Sequence, residues 1–222
     1  MYKEIKNKLK EMYEAQLELN TFIKPNWRRE LNMFNFESAI LVEAGEALES
    51  ANYKWWKKQE KDVENTKIEL IDVLHFKLSW LYYVDEEIKE KEINNFVHGL
   101  QINPKCEDVM LLTNLGRRQS MYDLAVCFNC YNMDFNEVYR TYMIKYTLNK
   151  FRKDNGYQDG TYIKNWNGYE DNVVAVDLAN KLEDTDNFKE NLYELLETYY
   201  KKVKNETDNQ SNSAIATDSP NN

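Results

Sequence analysis

Apolar positions recur along this chain at helical spacing, and on three of the resulting stripes a polar residue takes a place the spacing reserves for an apolar one. From Tyr2 to about Phe22 the stripe is Ile5, Leu9, Met12, Gln16 and Asn20, all within about 80° on a helical wheel. From about Met33 to Ala51 it is Phe36, Ile40, Glu43 and Ala47. From about Val63 to Val84 the run IELIDVLHFKLSWLYYV is apolar nearly all round, which predicts a central buried helix, and Glu69 and Asp72 lie inside it. Between the last two helices, Lys54-Trp55-Trp56-Lys57 reads as a turn or short helix. The charge-dense stretch 85–95 reads as a solvated helix end or connection. Two or three helices follow over 107–132, a long helix from about Asn136 to Lys153, and a last helix or two over 173–203. Asn155–Asn172 holds three of the six glycines and predicts the one irregular loop.

Few glycines and only three prolines leave few turns, which strengthens the helical reading. The expectation is an all-α helical bundle forming one domain over 1–204. Its core helices lie at about 2–84 and 134–172, with a more variable helical region at about 85–132. The polar residues 205–222 are expected to be a disordered tail. No apolar run reaches the roughly 20 residues that span a bilayer, so no membrane role is expected. The opening MYKEIKNKLKEMYE is amphipathic and of mixed charge, unlike a secretory signal. Three cysteines, an odd and low count, fit a reducing cytosol, and Cys127 and Cys130 read as helix-interior core residues. A net charge of -9 disfavours a nucleic-acid coating protein. It leaves room for an anionic nucleotide wherever metal ions and local Lys or Arg supply positive charge.

The chemistry is concentrated in four carboxylates. Glu43 and Glu46 are spaced i, i+3, as are Glu69 and Asp72, so each pair projects from one side of its helix. A carboxylate inside a core needs a partner or a metal. An all-oxygen donor set suits a hard cation, Mg²⁺ or Mn²⁺, which completes its shell with water and substrate phosphates, and this points to phosphoanhydride chemistry. The alternative is an ordinary charged helix face, since E-x-x-E is common, and the pattern alone leaves both open. A di-iron site, suggested by the Asp72–His75 spacing, needs two E-x-x-H pairs. The chain has two histidines, and His98 has no glutamate three residues before it.

The segments LVEAGEALES, YKWWKK and KIELIDVLHF, followed by LNKFRKDNGYQDGTYIKNWNGYEDN, together resemble the dimeric dUTPases of the all-α NTP pyrophosphatases. The likeness is continuous over about 37–84 and 142–172 and weakest over 85–130. It implies hydrolysis of dUTP, and of dUDP, to dUMP, with water attacking the β-phosphorus. It implies that Glu43, Glu46, Glu69 and Asp72 hold two or more Mg²⁺ ions and that Glu43 orients and deprotonates the water. Gln16, Asn20 and Trp56 match the base pocket. Lys145, Asn149, Arg152, Tyr157, Lys164 and Asn167 match residues that grip the phosphates. A homodimer and a cytoplasmic enzyme are expected, with no direct nucleic-acid binding. Related alternatives are a dCTPase, a MazG-like pyrophosphatase, or a non-catalytic helical protein that binds a regulatory partner.

The residues read by themselves support part of this. Lys145, Asn149 and Arg152 lie within about 60° on one helix face, as a phosphate clamp or as a solvated face. Gln16 and Asn20 need a buried partner, either a uracil edge or an internal hydrogen-bond network. Trp55 and Trp56 stack a base or fill core. Gly45, between two of the glutamates, predicts close helix packing there. Tyr53 stands where the tryptophan motif leads one to expect another tryptophan.

Overall fold

The central helix is the one the sequence marks as apolar on every side. A computed structural model describes residues 2–217 apart from Glu86, Asp184 and Asp186, with side chains described up to 206. In it, α4 (Val63–Val84) buries Ile68, Glu69, Leu70, Ile71, Val73, Leu74, His75 and Leu78 among others. The chain divides into two compact units, Met1–Tyr146 and Thr147–Asn222. The fold is all-α: among the described residues there are ten helices and one two-stranded hairpin. No helix among them is long and apolar enough to cross a membrane.

In the first unit α1 (Tyr2–Ile23) and α3 (Met33–Ser50) pack on α4, with the single-turn α2 (Trp27–Glu30) between them. α5 (Glu90–Gly99), α6 (Asp108–Arg118) and α7 (Met121–Cys130) pack among themselves and reach α1, α3 and α4. Local chemistry sets the starts. The Asn32 side chain accepts from Phe34 N–H while Asn35 accepts from Asn32 N–H, closing the N-terminus of α3. Asp62 accepts from Asn65 N–H at the start of α4, and Ser120 from Asp123 N–H at the start of α7. Gln119, left-handed at φ 51°, makes the sharp break between α6 and α7. Cys127 is buried within α7, and all three cysteines are free thiols.

The stretch 85–95, expected to be a solvated helix end or connection, takes in the first turns of α5. Ile93, Phe96 and Val97, at i, i+3, i+4, are buried beneath the charged residues that hid them. The expectation for Gly45 is corrected: a Cβ there meets nothing within 4 Å, because the residue faces outward. The close approach to α3 is made by Gly116 of α6, whose Cβ position lies 3.4 Å from Ala44 Cβ and 3.7 Å from Leu41.

α8 (Phe135–Asp154) begins in the first unit and ends in the second. After it, the stretch expected to be irregular contains a short hairpin, β1 (Asn165–Trp166) and β2 (Tyr169–Glu170). Asn167 (φ 54°) and Gly168 (φ 93°) are both left-handed, the pairing that a two-residue hairpin turn requires. Trp166 is fully buried in the second unit against Phe151, Tyr199 and Tyr200. α9 (Asp171–Ala179) and α10 (Phe188–Thr217) complete the unit. The backbone of α10 is helical through Thr217, with no glycine or proline to stop it, where the sequence suggests a disordered tail from 205. The last five residues of that tail, and its side chains beyond 206, lie outside the described residues.

Candidate active site

α3 and α4 bring three carboxylates together. Glu43, Glu69 and Asp72 each offer an oxygen, and these oxygens all lie within 4.8 Å of one another. Glu46 is close enough to disfavour the charged forms of Glu43 and Glu69, but its side chain is exposed and outside the converged set. The helical wheel explains this: three residues beyond Glu43, Glu46 is rotated about 60° further from the buried stripe. Asn65 joins the cluster unannounced by the sequence. Its amide donates to Glu69 at 3.1 Å and to Ser50 at 2.8 Å, which fixes the Glu69 carboxylate against the end of α3.

Burial, then the neighbouring carboxylates, pushes Glu43 up to about 8 and Glu69 up to about 7. Lys145 opposes both effects and pairs with Asp72, Nζ to Oδ2 at 2.8 Å. Crowded carboxylates, one buried and two half-buried, with hard oxygen donors fit a divalent cation such as Mg²⁺ or Mn²⁺, which adds to the charge that the Lys145 ammonium supplies.

This crowding has a consequence for stability. Both carboxyls keep protons in the folded, metal-free protein to a pH at which the unfolded chain, near 4.5, has released them. Between about pH 4.5 and 8 the native state therefore binds more protons than the unfolded state, and stability falls as pH rises. In chelator, thermal melts are expected to drop by roughly 5 °C between pH 5 and 8, and by less in Glu69→Gln. Equal pH slopes for the two proteins would show that the cluster does not hold these protons.

Further along α4 lies a second polar group. Gln16 and His75 are buried, and Asn20 is partly so. Gln16 Oε1 accepts from His75 Nδ1 at 2.7 Å and lies 2.8 Å from the Tyr142 hydroxyl, while Gln16 Nε2 donates to Asn20 Oδ1 at 2.9 Å. Asn20 Nδ2 donates to Ser79 Oγ at 3.0 Å. The internal network foreseen as one partner for the two amides is therefore present. Because a carbonyl oxygen cannot donate, the His75 proton sits on Nδ1. Burial lowers the ring to about 4, so it is neutral, and its Nε2 is buried without a hydrogen-bond partner. The ring stacks on Tyr142, centroids 4.1 Å apart. His75, Ser79 and Tyr142 were not singled out from the sequence for this network. For His75 and Ser79 the signal was their helical spacing from Asp72; Tyr142, on α8, carried none.

Trp56 is not brought to this network. It is 59% exposed and Trp55 90% exposed on the turn after α3, edge-on to each other at 5.7 Å. Tyr53 meets Trp56 edge-on as well.

Arg152 does not lie on a solvated face. Its Nε and Nη2 each donate to the fully buried Asp171 at 2.8 Å. Nη1 donates to Asn149 at 3.2 Å and Nη2 to Asn172 at 3.1 Å. Tyr162 donates to the same Asp171 at 2.8 Å. A carboxylate with no exposure needs such a partner, and this need claims the guanidinium. Tyr157 is half-exposed with Arg152 over its ring, Lys164 pairs at the surface with Glu170 at 3.4 Å, and Asn167 forms the hairpin turn.

The sequence model of the dUTPase family matches residues 8–157, more than half of the chain. The chain belongs to the dUTPase family. The matched span takes in all four acidic residues, Gln16, Asn20, Trp56, Lys145, Asn149, Arg152 and Tyr157, and ends before Lys164 and Asn167. Membership makes the chain a dUTPase-like nucleotide pyrophosphatase of the all-α, dimeric-type kind that the sequence resembles. Such enzymes usually need a divalent metal, and the three-carboxylate cluster offers a place for one. No curated protein matches the chain.

Proposed function

We propose that the chain is a Mg²⁺-dependent dUTP diphosphatase that also hydrolyses dUDP, each to dUMP. The observation that carries the reading is the convergence of Glu43, Glu69 and Asp72 on one side of the buried Gln16–Asn20–His75 network. Along α4, His75 and Ser79 lie about 4.5 and 10.5 Å of helix rise beyond Asp72, a scale that suits a base on the network and phosphates at the carboxylates.

The network's spare valences favour uracil. Gln16 and Asn20 each keep a second amide N–H, and His75 Nε2 keeps a lone pair. Uracil brings carbonyl acceptors and an N3–H donor, whereas cytosine sets an N3 lone pair against that of His75. Glu43, Glu69 and Asp72, with Glu46 adjoining, would hold a divalent cation, which would supply positive charge to the phosphates and acidify bound water. Glu43 takes the proton of the attacking water. Lys145 steadies charge on the phosphate oxygens. Asn149, Arg152, Tyr157, Lys164 and Asn167 are carried as phosphate ligands, and Trp56 as a base ligand, on the family likeness alone. Homodimerisation is likewise part of the proposal, supported by the apolar exposure of Phe34, Leu41 and Val42 on α3, as is a cytoplasmic location.

The test is turnover of dUTP, dUDP, dCTP and dTTP with Mg²⁺, for the wild type and Gln16→Ala. Hydrolysis of dUTP and dUDP is expected, with discrimination against dCTP reduced about tenfold or more in the variant. Equal turnover of all four by the wild type would discard the uracil pocket and leave a broad pyrophosphatase. No turnover would favour a non-catalytic helical protein that binds a regulatory partner.

A further inference from the structure

Lys145 is placed where a metal's charge is wanted. Its ammonium lies 2.8 Å from Asp72 Oδ2, with the two side chains only 5% and 18% exposed. It also acts on Glu43 and Glu69, so the same ammonium serves all three carboxylates. Three carboxylates whose oxygens lie within 4.8 Å of one another repel and resist burial without such a charge. A divalent cation on the same oxygens would crowd the ammonium, because the two compete for Asp72. The four-carbon stem lets a lysine ammonium move while its helix stays in place.

We infer that Lys145 is a resident counter-ion that changes partner, holding Asp72 in the metal-free protein and passing to the substrate's phosphate when the divalent cation is taken up. The inference rests on the reading of the cluster as a metal site. It gives this lysine a second task besides contact with phosphate. It keeps the acidic cluster folded before loading, and it lowers the affinity for metal until a polyphosphate offers it another anion. Metal and nucleotide then favour one another's binding, as linkage through a shared group requires.

Mn²⁺ alone, without nucleotide, is the probe. Its affinity is measured by calorimetry and electron paramagnetic resonance for the full chain and for Lys145→Met. Removing a charge that competes for Asp72 should tighten Mn²⁺ binding about tenfold or more. The metal-free variant should also melt lower than the wild type and regain the difference with Mn²⁺. In the wild type, the ammonium resonance of Lys145 should shift as Mg²⁺ is added, a readout that stands even where the variant does not fold. Equal or weaker Mn²⁺ binding by a folded variant, or an unmoved ammonium resonance at saturating Mg²⁺, would overturn the exchange and leave the metal site standing. A wild type that binds no Mn²⁺ would remove the metal site itself, and the exchange with it.

Discussion

Glu43→Gln is expected to lose dUTP turnover by about a thousandfold while remaining folded. The amide keeps the size of the side chain and removes both the proposed base and one of three converged carboxylates. Stability should move the other way. Burial, with Asp72, Glu69 and Glu46 close by, makes a charge at this position unfavourable in the metal-free protein. The variant should therefore melt at or above the wild-type temperature in chelator at pH 8. With Mg²⁺ the order should reverse, because the variant binds the ion less well. This crossing separates a functional carboxylate from a structural one, whose loss would lower stability under both conditions. Retention of a tenth or more of wild-type turnover would remove Glu43 from the chemistry.

Asp171→Ala should destabilise the protein by about 3–5 kcal/mol, because it leaves the Arg152 guanidinium buried without its carboxylate. Tyr162 loses its acceptor in the same substitution. A fall in Tm of about 10 °C is the expected result. The paired replacement Arg152→Met with Asp171→Leu should recover much of the loss, since neither charge is then left alone. A shift in Tm of under about 2 °C for Asp171→Ala would show that the pair contributes little to the fold.

The legible parts of the sequence were those where one periodicity acts alone. The run through α4 is apolar on every face and could only be central, and its limits, Val63 and Val84, match the expectation. Gln16 stood out as a polar residue on an apolar stripe, and it is buried as that position demands. What the sequence could not separate was the partner. A buried amide asks for hydrogen bonds without saying whether a base or His75 and Tyr142 supply them. α5 was obscured because Glu90, Lys91 and Glu92 open it, ahead of most of its buried positions, Ile93, Phe96, Val97 and Gly99. Gly45 misled because a glycine marks either close approach or mere tolerance, and only the neighbouring chain decides which. Arg152 could not be assigned its partner, because Asp171 is nineteen positions away and no spacing rule connects the two.

The indoles divide by environment. Of five tryptophans, Trp27 and Trp166 are sealed from water, whereas Trp55 and Trp56 stand in it on one turn. A quencher dissolved in the solvent meets the exposed pair and not the sealed ones, with the half-buried Trp80 between them, so the emission of this chain has a readily quenched component. The turn after α3 thus acts as an unlabelled optical channel, in which the covering of Trp56 by any molecule is visible as a loss of quenching and a shift to shorter wavelength.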